Sequence, residues 1–119
     1  MDKNIEINDC ISSLEDAVKF RDKARLENKT FVITNGCFDL LHSGHVYSLK
    51  QASTLGDYLW VLINSDSSVK MLKGEKRPIV PEKDRAYVLS NLSFVSGVTL
   101  FNTKRLEKEI ISLRPDVYA

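Results

Sequence analysis

The sequence predicts an α/β domain, a parallel sheet with helices on both faces. Short runs rich in aliphatic and aromatic residues, Phe31–Thr34, Tyr58–Asn64 and Val98–Phe101, alternate with amphipathic stretches of helical length. The middle run is apolar at successive positions, as a central strand buried on both faces must be. The connections have the length of right-handed βαβ crossovers and are too long for hairpins.

Each element has its own signal. Residues 1 to 9 are polar and are expected to be loosely held. Ser12 and Glu15 form a capping-box pattern, and Leu14, Ala17, Val18, Phe20 and Ala24 suit one face of a helix running to about Asn28. The strand Phe31–Thr34 leads through a glycine loop to a helix at Ser43–Leu55, stopped by Gly56. After the strand Tyr58–Asn64 comes a short helical piece at Ser68–Leu72, then the polar loop Lys73–Pro78. Pro81 precedes a helix at Glu82–Leu92. Val98–Phe101 is the third strand, and Thr103–Leu113 a helix capped by Thr103 and ended by Arg114-Pro115. Asp116–Ala119 begins a fourth strand. The domain is therefore single, with a helical segment over 1–29 and a βαβ core over 30–119.

Composition excludes several classes. A length of 119 residues supports one core, and 43% hydrophobic with 28% charged residues is ordinary for a soluble globular protein. A net charge of +1 gives no bulk electrostatic case for nucleic acid or an anionic membrane. The longest apolar run is far short of a bilayer span, and no apolar segment follows the first residues as in a signal peptide. Cys10 and Cys37 alone do not make a disulfide framework. The expectation is a cytoplasmic protein.

In parallel sheets of this kind ligands bind at the carboxyl ends of the strands. The polar residues gather there: Asn35–Asp39 after the first strand, Asn64-Ser65-Asp66 after the second, Asn102 after the third. The first of these opens the run Asn35-Gly36-Cys37-Phe38-Asp39-Leu40-Leu41-His42-Ser43-Gly44-His45. A strand that breaks at a glycine loop and restarts as a helix leaves backbone N–H groups facing one space, and such a helix start attracts phosphate. His42 and His45 are three apart, so their rings can share one side of the first turn and donate to a charged phosphorus centre. Gly44 would let the phosphate approach the backbone.

A lone histidine is more often structural, but here the only two histidines fall in one glycine turn after a strand. Zinc is the competing reading, with Cys37 and Asp39 nearby. A closed zinc site needs about four ligands, and zinc leaves the glycines and the helix start unexplained. Other residues stay open to plainer readings. Lys73, Lys76 and Arg77 read equally as solvated loop charges, and Asp39 as an Asx-turn residue. Asp66 reads equally as a helix cap, and Arg85 as a surface partner of Glu82 or Asp84. Cys37 reads as a packing residue rather than a nucleophile.

The motif resembles the G-x-F-D-x-x-H-x-G-H signature of the cytidylyltransferase-like nucleotidyltransferases, which share an HxGH motif and a Rossmann-like α/β fold with class I aminoacyl-tRNA synthetases. Within that superfamily the chain is most similar to the heptose 1-phosphate adenylyltransferases, which make ADP-heptose for lipopolysaccharide core. The supporting segments are Asn64–Val69, Leu72–Ile79, Asp84-Arg85-Ala86 and Leu113–Val117, so the resemblance spans about Leu14 to Val117.

It implies attack of a sugar 1-phosphate on the α-phosphorus of ATP, with release of pyrophosphate and no covalent enzyme intermediate. By that resemblance His42, His45 and Lys73 are catalytic, with Asp39 orienting a histidine or the lysine. Asn35, Gly36, Cys37, Phe38, Asp39 and Gly44 bind nucleotide phosphate; Asn64, Asp66, Arg77 and Arg85 bind substrate. Mg²⁺ would be held mainly by substrate phosphates, and members of the family are often dimers. The resemblance also implies a Lys-Gly-Gly-Asp-like turn and a Ser/Thr-rich helix start beyond Ala119, so a domain truncated at its C-terminus is expected. Two alternatives follow from the same motif: a cytidylyltransferase for glycerol 3-phosphate or a related alcohol phosphate, and a nucleotide-binding module without turnover.

Overall fold

Four runs that favour the pleated conformation pair in parallel, in the order β3-β2-β1-β4. These are β1 (Phe31–Gly36), β2 (Tyr58–Asn64), β3 (Gly97–Phe101) and β4 (Val117–Tyr118). The computed structural model describes residues 10–119, so the polar segment 1–9 lies outside the described residues. Phe31 pairs with Tyr58 and Gly36 with Ile63, while Trp60 pairs with Gly97 and Val32 with Val117.

The period-two alternation of the strands divides the core. Val32, Leu59, Val61, Ile63 and Val98 pack with Leu49 and Ala52 of α2 (Ser43–Ser53) and with Ala86 and Leu89 of α4 (Glu82–Ser90). Phe31, Ile33, Trp60, Leu62 and Phe101 pack with Ala17 of α1 (Leu14–Leu26) and with Leu106 and Leu113, the latter in α5 (Glu107–Leu113). The short helix α3 (Asp66–Lys73) follows β2. The chain steps from β1 to β2 to β3 in one direction, then returns to place β4 on the far side of β1. That reversal moves the last crossover helix to the opposite face, and it opens a crevice beyond the carboxyl end of β1.

Several expected boundaries shift. The cap of α1 is Ser13, whose hydroxyl accepts the Asp16 amide at 3.0 Å. The Ser12 N–H, which Glu15 would have to reach in a capping box, is bonded to Val98 O at 2.8 Å instead. The helix ends at Leu26, and Asn28 closes it in the left-handed region at φ 58°. Helix α4 ends at Ser90, and β1 continues two residues beyond Thr34 to Gly36. Lys73 is the last residue of α3, not part of a loop. Thr103 does not cap α5: its hydroxyl donates to Arg105 O at 2.6 Å, and the helix starts later, at Glu107. Among the described residues no helix is long and apolar enough to cross a membrane.

Gly97 shows how tightly β2 and β3 pack. A Cβ there would overlap the six-membered ring of Trp60. That ring cannot easily move, because its Nε1–H donates to Thr99 Oγ1 at 2.9 Å inside the core. Gly97→Ala is expected to cost about 1–3 kcal/mol by overpacking. Thermal unfolding checks this, and an unchanged Tm would mean that the indole yields at no cost.

Candidate active site

A cavity of about 440 Å³ opens beyond the carboxyl end of β1, lined by Asn35, Gly36, Cys37, Phe38, Asp39, Leu40, His42, His45, Lys73 and Arg77. The chain enters it from β1 through a turn in which Phe38 takes a positive φ of 50°. Asn35 is oriented by the Tyr118 hydroxyl, which donates to Asn35 Oδ1. The Cys37 thiol donates to Asn64 Oδ1 at 3.3 Å, and Asn64 Nδ2 donates onward to Ser68 Oγ at 2.8 Å. The Phe38 ring meets His45 edge-on, with centroids 5.5 Å apart.

The two histidines cap the helix that carries them. His42 Nδ1 accepts the Gly44 amide at 3.0 Å, and His45 Nδ1 accepts the His42 amide at 3.2 Å. An imidazole nitrogen that accepts carries no proton, so in each neutral ring the proton sits on Nε2. The rings lie 4.0 Å apart and both line the cavity, so their Nε2–H groups are a pair of adjacent donors. Burial lowers the pKa of His45, and the neighbouring His42 and Lys73 push it the same way. Gly44 does not line the cavity. Its amide is spent on His42, and a Cβ there would lie 2.8 Å from His42 Cε1, so the close approach it permits is that of a ring.

Asp39 orients neither a histidine nor Lys73. Its carboxylate is buried, accepts the Ile79 amide at 2.9 Å and the Val80 amide at 2.8 Å, and pairs with Arg77 at 3.2 Å. Burial alone would raise its pKa, but the Val80 and Ile79 amides with the Arg77 and Arg85 cations outweigh that and lower it. Asp39 therefore clamps the segment that brings Arg77 to the cavity. Sequence reasoning missed this clamp, because the partners are backbone amides that leave no mark on residue type.

Asn64, Asp66 and Arg85 do not line the cavity. Asn64 is buried beneath Cys37, and Asp66 is the first residue of α3, capped by Ser65 rather than acting as the cap itself. Arg85 is fully buried and pairs with Asp66 Oδ1 at 2.8 Å rather than with Glu82 or Asp84. Leu40 joins the wall unexpected. Among the described residues no group of three or more His, Cys, Asp or Glu is placed to hold a metal ion.

The cavity thus combines two cations, Lys73 and Arg77, and two imidazole donors with one carboxylate that is already paired. Such a set of groups, at the switch point of a doubly wound sheet, is complementary to negative charge. The chain belongs to the cytidylyltransferase-like family, whose model matches residues 33–119. It is 54% identical over 92 residues to the bifunctional protein HldE of Helicobacter pylori (strain P12), a match covering 77% of this chain and 20% of that protein. It is 43% identical over 118 residues to the bifunctional protein HldE of Pelobacter propionicus (strain DSM 2379 / NBRC 103807 / OttBd1), covering 99% of this chain and 23% of that one. The chain spans about a fifth of the length of the curated relatives it matches. It also superposes on the crystal structure of the lipopolysaccharide core biosynthesis protein from Thermoplasma volcanium GSS1, with a TM-score of 0.68 and 33% identity, over 76% of this chain and 72% of that chain.

Proposed function

We propose that this domain transfers AMP from ATP to heptose 1-phosphate, forming ADP-heptose for lipopolysaccharide core and releasing pyrophosphate. The observation that carries the reading is the pair of histidine rings in the cavity wall, each with its Nδ1 accepting a backbone amide of its own helix start, which leaves Nε2 as the donor. A phosphate oxygen of the sugar attacks the α-phosphorus, and the bond from that phosphorus to the bridging oxygen of the β-phosphate breaks. Negative charge grows on the non-bridging and leaving oxygens, where preorganised donors stabilise it most. His42 and His45 donate there, while Lys73 and Arg77 neutralise the departing pyrophosphate or the acceptor's phosphate. No side chain needs to form a bond to phosphorus, so positioning and charge supply the catalysis. Mg²⁺ enters as part of the MgATP substrate, held by its phosphates, since the cavity's one carboxylate is engaged by Arg77 and two amides.

The test is pyrophosphate release from ATP and from CTP, each with Mg²⁺ and either heptose 1-phosphate or glycerol 3-phosphate. The expected result is release with ATP that requires heptose 1-phosphate. Faster release with CTP and glycerol 3-phosphate would replace both substrates. ATP binding without release under every pairing would leave a nucleotide-binding module.

A further inference from the structure

Arg85 stands on α4 with its side chain wholly out of water, yet it reaches three separate pieces of the site. Nη1 donates to Cys37 O and to Asn64 O, each at 2.8 Å. Nε donates to Val80 O at 2.9 Å, and Nη2 to Asp66 Oδ1 at 2.8 Å. Burying a cation is costly unless it is paired and fully hydrogen-bonded, and a planar fork is the group that can satisfy carbonyls on several elements at once. Cys37 O immediately precedes Phe38, the residue in the left-handed conformation at the mouth of the cavity. Val80 O ends the segment whose amides Asp39 clamps and whose Arg77 faces the cavity.

We propose that Arg85 is a positioning residue for the phosphate cavity: its buried guanidinium locks the Cys37–Phe38 turn, the end of β2 and the Arg77 segment into one register. This rests on the phosphate reading of the cavity. Lysine would keep the charge, but it lacks the fork and would leave carbonyls unbonded. The effect reaches the ligand through Arg77 and the turn, without contact from Arg85 itself.

The test titrates sodium tripolyphosphate into the unaltered chain, Arg85→Lys, Asp66→Asn, Arg77→Ala and the Arg77→Ala/Arg85→Lys pair, by calorimetry below each Tm. Arg85→Lys is expected to weaken binding on the order of tenfold to hundredfold, as misplaced binding groups do. In the Arg77→Ala background the same change should cost much less, because the two losses share one route. A purely structural strut predicts a lower Tm with affinity within about twofold and additive losses, and that result would overturn the proposal. If Arg85→Lys does not fold, Asp66→Asn decides: a several-fold loss supports the positioning role and unchanged affinity overturns it. No binding by the unaltered chain would overturn the phosphate reading itself and the positioning role with it.

Discussion

His45→Asn is expected to keep the fold and lose pyrophosphate release by about 10²–10³-fold, the usual cost of removing one donor aimed at developing charge. The asparagine Oδ1 can stand where Nδ1 stands, so the His42 amide, now bonded at 3.2 Å, keeps an acceptor. What disappears is the Nε2–H on the far side of the ring, with the reach into the cavity. His45→Ala removes both, so it should show the same loss of rate together with a lower Tm, by the ~1 kcal/mol that a helix cap contributes. Comparing the two separates capping from chemistry. If His45→Asn retained most of the rate while His45→Ala lost it, the histidine would be a cap and the donor would have to be sought elsewhere. His42→Asn, with the Gly44 amide at 3.0 Å, makes the matching experiment on the other ring.

The histidine pair was legible because two independent signals coincide on it: a strand that stops at a glycine, and polar residues spaced for one side of a helix turn. The sheet was legible for a similar reason, since β2 is apolar on both faces and the runs on either side of it are spaced as crossovers. What could not be read were contacts whose other half is backbone. Arg85 looks like any helix arginine in sequence, and only the fold brings Cys37 O, Asn64 O and Val80 O around it. Asp39 is the same case from the acid side, with the Ile79 and Val80 amides as partners. At Gly44 the sequence signals a place of close approach, but residue type does not reveal that the His42 ring folds back over its own helix start there. The spacing to Glu15 points to Ser12 as the cap of α1, but the Ser12 N–H that such a box needs is bonded to Val98 O across the fold, and Ser13 caps instead.

Arg21→Met is expected to destabilise the fold by about 2–3 kcal/mol, or roughly 10 °C in Tm. The Arg21 side chain is 3% exposed and lies over the Phe31 ring at 5.4 Å. Its Nε bonds to Leu113 O at 3.2 Å and Arg114 O at 3.0 Å, and its Nη2 to Arg114 O at 2.8 Å and Asp116 Oδ1 at 3.2 Å. The other oxygen of Asp116 accepts the Phe31 amide at 2.8 Å, so this pair joins α1, the end of α5 and the first residue of β1. Methionine fills the volume but leaves those carbonyls and the carboxylate without a donor. Asp116 is 43% exposed, so water compensates part of its loss and the estimate stays below that for a fully buried pair. The pH dependence carries the second half of the argument. The Phe31 amide holds the Asp116 pKa below its ordinary 3.8, with Arg21 adding to the effect against the opposing influence of burial. The folded state therefore favours the carboxylate, and the stabilisation is complete above that ordinary value and is lost as pH falls through the lowered folded one. The difference in Tm between the unaltered chain and Arg21→Met should narrow as the pH is taken down through that range, measured at constant ionic strength. A difference that stays constant into strong acid would place the stabilisation in the bonds from Arg21 to the carbonyls of Leu113 and Arg114, with the ion pair contributing nothing.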